Sequence, residues 1–458
     1  VIHNVKAETK RKINQTTPTT INKTMKISTL ITTALVALGI ASQASADTVI
    51  YLTGSTAFRS TVEASLANNN GGGTNGGVFD AGTVTFITYG NAAAGSANYM
   101  VFHGTISNTP LYINCAWSGS EAGIASACNA TLTNTDRNGN PIPLNGSPEA
   151  WLNVSNVTCT FPGTVIATNP ATSLFENNKV PYRGADLAQA DTSQAVSWTP
   201  YVAGTQTALK DYGVEGIVTF SWAKNLQTVA SNEYLDCTNI TIPQACTLLA
   251  AGAEPASYFS GNPADGDFTV YCVGRNLGSG TRMNELGDST YGPHRTVHQY
   301  SIGYGIEEAA VNTLVLTNEG NNGYESGGGV GAAMKITGSC QQADPYFGGT
   351  GWFAIGFAGP SDWNNAGVPV SDWLTVSGVL ESNGAIENGS FWVWGHEHIF
   401  GKYQISGIQD TVGNAIFNGV SQNIANQALG SVAANHDAAI ANNYMNVVKD
   451  SDVGFPHP

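Results

Sequence analysis

Charge is what this sequence lacks most. Only 11% of its 458 residues are Asp, Glu, Lys or Arg, less than half the usual quarter. Bases are scarcer still: 18 Lys+Arg stand against 33 Asp+Glu, a formal net charge of -15. A nucleic-acid binder needs a basic surface to neutralise phosphates, so that class is excluded. Docking on anionic lipid is disfavoured on the same ground. There is no Cys-x-x-Cys pair, so the usual zinc framework is missing. No Gly-Lys-Ser/Thr closes a Gly-rich turn, which excludes a Walker loop. No Gly-x-Ser-x-Gly elbow sits at the Gly/Ser turns, and no carboxylate pair is singled out by spacing. Internal repeats, heptads and long charge runs are absent.

What is present suffices for a core. The hydrophobic fraction is 42%, and Gly numbers 53. Wholesale disorder is excluded, and the length suggests two or three domains. Met25-Lys26 opens an apolar run over 27–41 that ends in Ala44-Ser45-Ala46. A basic start, a short apolar stretch and a small-x-small end predict a secretory signal peptide, with residues 1–24 as unfolded upstream sequence. The run is too short to span a bilayer, and no Cys follows it to carry a lipid. Removing 1–46 takes away six bases and one acid, so the mature chain is more acidic still. The expected location is periplasmic or extracellular.

Seven Cys follow: Cys115, Cys128, Cys159, Cys237, Cys246, Cys272 and Cys340. In an oxidising compartment they predict disulfides, with one thiol left free or joined to another chain. Cys237 and Cys246 bracket a short loop and are the expected pair.

Apolar runs alternate with helical spacing, which predicts an α/β fold. Strands are expected over 47–52, 84–89, 100–106, 185–190, 216–222, 268–273, 352–357 and 391–394. Helices are expected from Arg59 to Leu66, within 240–251 and over 422–440. Residues 107–180, rich in Asn, Thr, Ser and Pro and holding three Cys, read as an irregular stapled insertion.

Two Gly/Ser/Thr turns carry the chemistry. Thr53-Gly54-Ser55-Thr56-Ala57-Phe58 follows the first strand, and Arg275-Asn276-Leu277-Gly278-Ser279-Gly280-Thr281 follows the 268–273 strand. Each precedes a helix start, whose free N–H groups and positive dipole end suit an anion. Ser and Thr hydroxyls add donors, and Arg275 offers a charged fork. As plain structure the same residues would be turns and caps, Asp191 an N-cap, and Arg275 a surface ion partner.

These motifs, in this order, resemble the periplasmic phosphate-binding protein of ABC phosphate importers. The resemblance rests on Thr53–Phe58, on Ala188-Gln189-Ala190-Asp191, on Arg275 with Gly278-Ser279-Gly280-Thr281, and on Asn383–Phe391 late in the chain. It implies a two-lobed, type 2 periplasmic binding protein-like α/β fold that carries the Cys-containing insertion. The first lobe would hold 47–195 and 345–458, the second 196–344. It implies a phosphate or similar oxyanion held between the lobes by Ser55, Thr56, Ala57, Phe58, Ser96, Asp191, Arg275, Ser279, Gly280 and Thr281. Phe58 matches a backbone N–H donor, and Asp191 an acceptor of the anion's proton. Ala57 stands where the family has a donor Thr, with Ser55 or Thr56 as substitutes. Leu277 replaces an acidic residue that orients the Arg. Ser96 matches the family's second-strand Ser only loosely.

The resemblance implies an ABC permease as partner, no cofactor and no catalysis. Two other classes compete with it. One is an extracellular structural or surface protein, a fibre or lattice former that reuses the fold by self-association. The other is a phosphatase acting through Ser279. His396-Glu397-His398 has metal-like spacing, since alternate residues on a strand share a face, but it follows the aromatic strand where the resembled family has an aromatic-x-Glu-His-like helix start, and no metal is assigned. His294 and His298 share an i, i+4 spacing, but Pro293 and a flanking Gly indicate a loop.

Overall fold

In a computed structural model, the structure describes residues 47–67, 77–89, 97–130, 132–135, 141–143, 150–160, 163–166, 174, 184–304, 314–426 and 439–458. The expected signal segment and Ser96 lie outside them. Among the described residues no helix is long and apolar enough to cross a membrane.

The chain is α/β, as its alternating pattern predicts. The strands used below are β1 (Thr48–Gly54), β2 (Thr85–Tyr89), β3 (Tyr99–Ile106), β4 (Thr109–Ala116), β5 (Thr164–Ile166), β6 (Leu187–Ala190), β7 (Lys210–Thr219), β8 (Ser221–Lys224), β9 (Ala253–Pro255), β10 (Phe268–Val273), β11 (Gly351–Ala358), β12 (Trp394–Gly401) and β13 (Ala439–Ile440). The helices are α1 (Arg59–Ala67), α2 (Ser120–Ala127), α3 (Ile242–Ala251), α4 (Gly280–Asp288), α5 (Gly327–Met334), α6 (Pro360–Ala366) and α7 (Gly407–Asn426).

A nine-stranded sheet runs β13-β7-β12-β6-β1-β4-β3-β2-β5, and a four-stranded sheet runs β8-β11-β10-β9. At the centre of the large sheet β1 pairs parallel with β4 and with β6. Strands buried on both faces read as continuous apolar runs, and β1 is one: Ile50 and Leu52 are fully buried and Tyr51 nearly so. In the small sheet β10 and β11 are parallel and wholly buried. The large sheet takes Lys210–Thr219, and the small one takes Ser221–Lys224 and Gly351–Ala358.

Three expectations are corrected. Residues 107–180 are not an insertion throughout. β4 lies beside β1 in the sheet, and α2, every residue of it buried, packs behind. The run β2-β3-β4 is an antiparallel meander. The late helix is α7, ending at Asn426, with Ala439–Ile440 a strand on β7. The strand expected over 391–394 begins at Trp394 and extends to Gly401.

The disulfide expectation also fails: all seven Cys are free thiols. Cys237 is fully buried in the core, whereas the Cys246 thiol, on α3, donates to the Ser289 carbonyl at 2.8 Å. The two side chains are committed to different surroundings, so sequence proximity did not make them partners.

Candidate functional site

The site forms where three strand-to-helix turns meet. Gly54 closes β1 with φ 123°, and a side-chain carbon there would stand 1.9 Å from the Gln189 carbonyl oxygen. Only Gly fits, and the turn lets the Ser55 N–H donate to that carbonyl at 2.9 Å. The second turn, Ser118-Gly119-Ser120, links β4 to α2. Its Gly119 N–H donates to Gly54 O at 2.8 Å. The third, Asn276–Ser279, links β10 to α4 and accepts at Gly278 O from the Glu121 N–H at 3.0 Å. Ser279 caps α4 by accepting from the Arg282 N–H at 3.2 Å.

Asp191, 1% exposed at the end of β6, is the acceptor at the centre. Its Oδ1 accepts from Ser120 Oγ at 2.5 Å, and its Oδ2 accepts from Thr281 Oγ1 at 3.3 Å. Arg275, 2% exposed, donates through Nη1 to Thr281 Oγ1 and through Nη2 to Thr56 Oγ1, both at 3.3 Å. The guanidinium is aimed by the carbonyls of Tyr324 and Glu325, and Arg282 holds the Arg275 carbonyl at 3.2 Å. Those contacts take over the orienting task that Leu277, itself buried in this turn, cannot perform.

Burial sets the electrostatics. It pushes the Asp191 carboxyl up to about 6, against the pull of Ser120, Arg275 and Thr281. It lowers Arg275, while Asp362, Asp191, Glu285 and Glu325 act to keep it charged. Glu121, at the start of α2, is raised to about 7 by burial, although Trp198 and Thr192 donate to it.

Thr56, Asp191, Arg275, Ser279, Gly280 and Thr281 are therefore brought together. Of the two substitutes for Ala57, Thr56 meets Arg275, while Ser55 is fully buried and its Oγ accepts from the Phe58 N–H at 3.4 Å. Phe58 thus spends its N–H within the turn, and its ring lies in the core. Ser120 was missed. It repeats the signal of the other turns, a Ser-Gly-Ser after an apolar strand, but lies within the stretch that composition marks as an insertion. A cleft of about 650 Å³ opens beside Thr56 and Ala57, lined also by Arg59, Tyr99, Lys335 and Asp362. Arg59 donates to Asn98 Oδ1 at 2.9 Å across one wall.

The two histidine spacings separate. His294 faces the Val196 carbonyl and His298 faces Asn318, so they form no pair. His396 and His398 both contact Asp452.

No family model matches the chain, and no curated protein does. Among solved structures it is similar to a Clostridium perfringens protein assigned as a phosphate ABC transporter substrate-binding protein, solved with bound phosphate. Identity is 12% and the TM-score 0.38, over 80% of this chain and 92% of that one. It is also similar to PstS from Borrelia burgdorferi, at 11% identity and TM-score 0.31, over 80% and 91% of the two chains. An ABC-type phosphate transport receptor from Vibrio cholerae aligns at 14% and 0.29, over 51% of this chain and 73% of that one.

Proposed function

We propose that this chain is an exported solute-binding protein that holds phosphate or a related oxyanion where the three turns meet, delivers it to an ABC permease and does no chemistry on it. One observation carries the reading. Thr56, Ser120, Asp191, Arg275 and Thr281, from well-separated segments, form one buried hydrogen-bonded array around a single carboxylate acceptor. Hydroxyls and a guanidinium supply donors, and the start of α4 supplies N–H groups and a dipole. A carboxylate among donors favours an oxyanion that keeps a proton at neutral pH, so hydrogen phosphate is preferred over sulfate. The two lobes of the proposal are built on the two sheets, so that Lys210–Thr219 goes with the first lobe and Gly351–Ala358 with the second, against the 196–344 bounds expected from the sequence, and the cleft beside Thr56 is the entrance between them. Its volume leaves room for a ligand larger than inorganic phosphate. Calorimetric titration with phosphate, phosphonate, sulfate and small organophosphates tests it. Binding of none of them below millimolar concentration rejects it.

A second reading, a surface or structural protein built on the same fold, is favoured by one feature. The array closes on itself: Arg275 already meets Thr56 and Thr281, and Asp191 already meets Ser120 and Thr281. Ordered fibres or a lattice on the native cell surface, with no anion affinity in solution, would establish it.

A further inference from the structure

The two His of the His396-Glu397-His398 motif take no part in the anion array, although Glu397 between them faces Asp191 and meets the Ser55 hydroxyl, and the structure gives the two His a third partner that the sequence does not place near them. Asp452 comes from the C-terminal segment, 54 and 56 residues beyond the two His. His396 Nδ1 lies 3.0 Å from Asp452 Oδ1, and His398 Nε2 lies 3.2 Å from the same oxygen. The three ligand atoms all fall within 4.8 Å of one another. A tetrahedral ion with bonds of about 2.0–2.1 Å holds its ligand atoms about 3.3 Å apart. Two of the three separations are within a few tenths of that value.

The surroundings are those of a supported metal centre. The other ring nitrogen of His398, Nδ1, faces the Asp211 carboxylate at 3.2 Å. Such a partner fixes the tautomer, so that Nε2 presents its lone pair to an ion. The other oxygen of Asp452, Oδ2, accepts from the Ser193 N–H at 2.5 Å, which leaves Oδ1 for the two imidazoles. Asp452 is 4% exposed, His398 10% and His396 17%, so the three are nearly enclosed with the opening on the His396 side. The pairing of β12 with β7 shifts register between Glu397 and His398, passing over Glu215, and a bulge of this kind re-aims side chains. Lys449, the nearby cation, is held by Asp288 and the Trp394 carbonyl.

We propose that His396, His398 and Asp452 bind a divalent first-row transition metal, with zinc the best fit to two imidazoles and one carboxylate, and leave its fourth position open. Asp211 is the positioning residue. The metal would tie the C-terminal segment to β12. It would also brace the turn after Asp191, because Ser193 is bonded to Asp452 and Ala190 pairs with His398.

The test uses the chelator-stripped full chain, titrated with Zn²⁺ or Co²⁺ alone. The expected result is saturable uptake of one equivalent at micromolar metal, with the ligand-field spectrum of low-coordinate Co²⁺ and a raised thermal midpoint. His398→Gln and His396→Ala should each lose more than the roughly 10–100-fold that a residue hydrogen-bonded to a ligand is worth, whereas Asp211→Asn should lose about that much. His294→Gln should bind as the parent does. The midpoint shift is read on the parent protein, so the result does not depend on any variant folding. Absence of uptake by the parent overturns the proposal, as does uptake that His398→Gln and His396→Ala leave unchanged.

Discussion

The Asp191 carboxylate fills the space that a side chain on residue 280 would need. A Cβ on Gly280 would stand 1.6 Å from Asp191 Oδ1 and 2.7 Å from the Ser120 Cβ. The first residue of α4 must therefore be Gly for the end of β6 to approach it. Gly280→Ala should cost about 1–3 kcal/mol in chemical denaturation, since the overpacked site has to shift. Asp191→Ala should recover part of that loss when combined with it, a coupling of about 0.5–3 kcal/mol in a double-mutant cycle. Simple additivity of the two changes would mean that they do not meet.

Arg275→Ala tests the anion reading directly. Affinity should fall by about 2–5 kcal/mol, because the anion's charge would be left unpaired in a buried site. The chain is strongly acidic, so long-range attraction cannot supply the binding. Parent affinity should change little between low and physiological salt, as buried contacts are weakly screened. Full affinity in the variant, or a steep salt dependence in the parent, would place the anion elsewhere. Asp191→Asn should weaken hydrogen phosphate and ease sulfate entry, since the amide offers a donor where the carboxylate only accepts.

How much of this was legible in the sequence follows from the range of each interaction. β1 with its turn, β6 with Asp191, and β10 with the Ser279–Thr281 helix start are local patterns, and each stands where the sequence placed it. Ser120 was equally local but was hidden by the polar, Cys-bearing stretch around it. The carbonyls of Tyr324 and Glu325 that aim Arg275, and Asp452 beside the two His, could not be read at all. They are brought in by chain returns of about 50 residues or more, which no periodicity encodes. The Cys expectation failed for a related reason. A compartment argument says that thiols can pair, and only packing says which ones meet.

The thiols give a separate check. Burial pushes Cys128 and Cys237 up to about 12 and Cys159 to about 11, and raises Cys115 and Cys272 well above the ordinary thiol value. Only a thiolate reacts readily with a disulfide reagent. In freshly purified native protein these five thiols should therefore react slowly with Ellman's reagent at neutral pH, and denatured protein should release seven equivalents without prior reduction. A reductant should not lower its thermal midpoint. A count of five or fewer before reduction would show a bond where the structure has free thiols.

Stability should fall as pH rises, and Glu121 offers the cleanest way to see it. Its carboxyl is raised to about 7 from an ordinary 4.5, chiefly by burial, with the Asp191 charge adding to the rise. Below the unfolded value both states hold the proton, and the contribution to stability is complete. Between about 4.5 and 7 the unfolded chain ionises while the folded one does not, so the folded state loses ground. Above about 7 the loss is complete, at roughly 3 kcal/mol for this group. Glu63 at about 7, Asp288 at about 6 and Glu285 at about 8 push in the same direction. Urea midpoints taken from pH 5 to pH 8 should therefore decline. Glu121→Gln keeps one oxygen to accept from the Trp198 N–H and puts an NH2 opposite the Thr192 hydroxyl, which can turn to accept it, but has no proton to lose, so its decline should be shallower than the parent's. Equal slopes in parent and variant would mean that Glu121 is ionised in the folded state throughout this range.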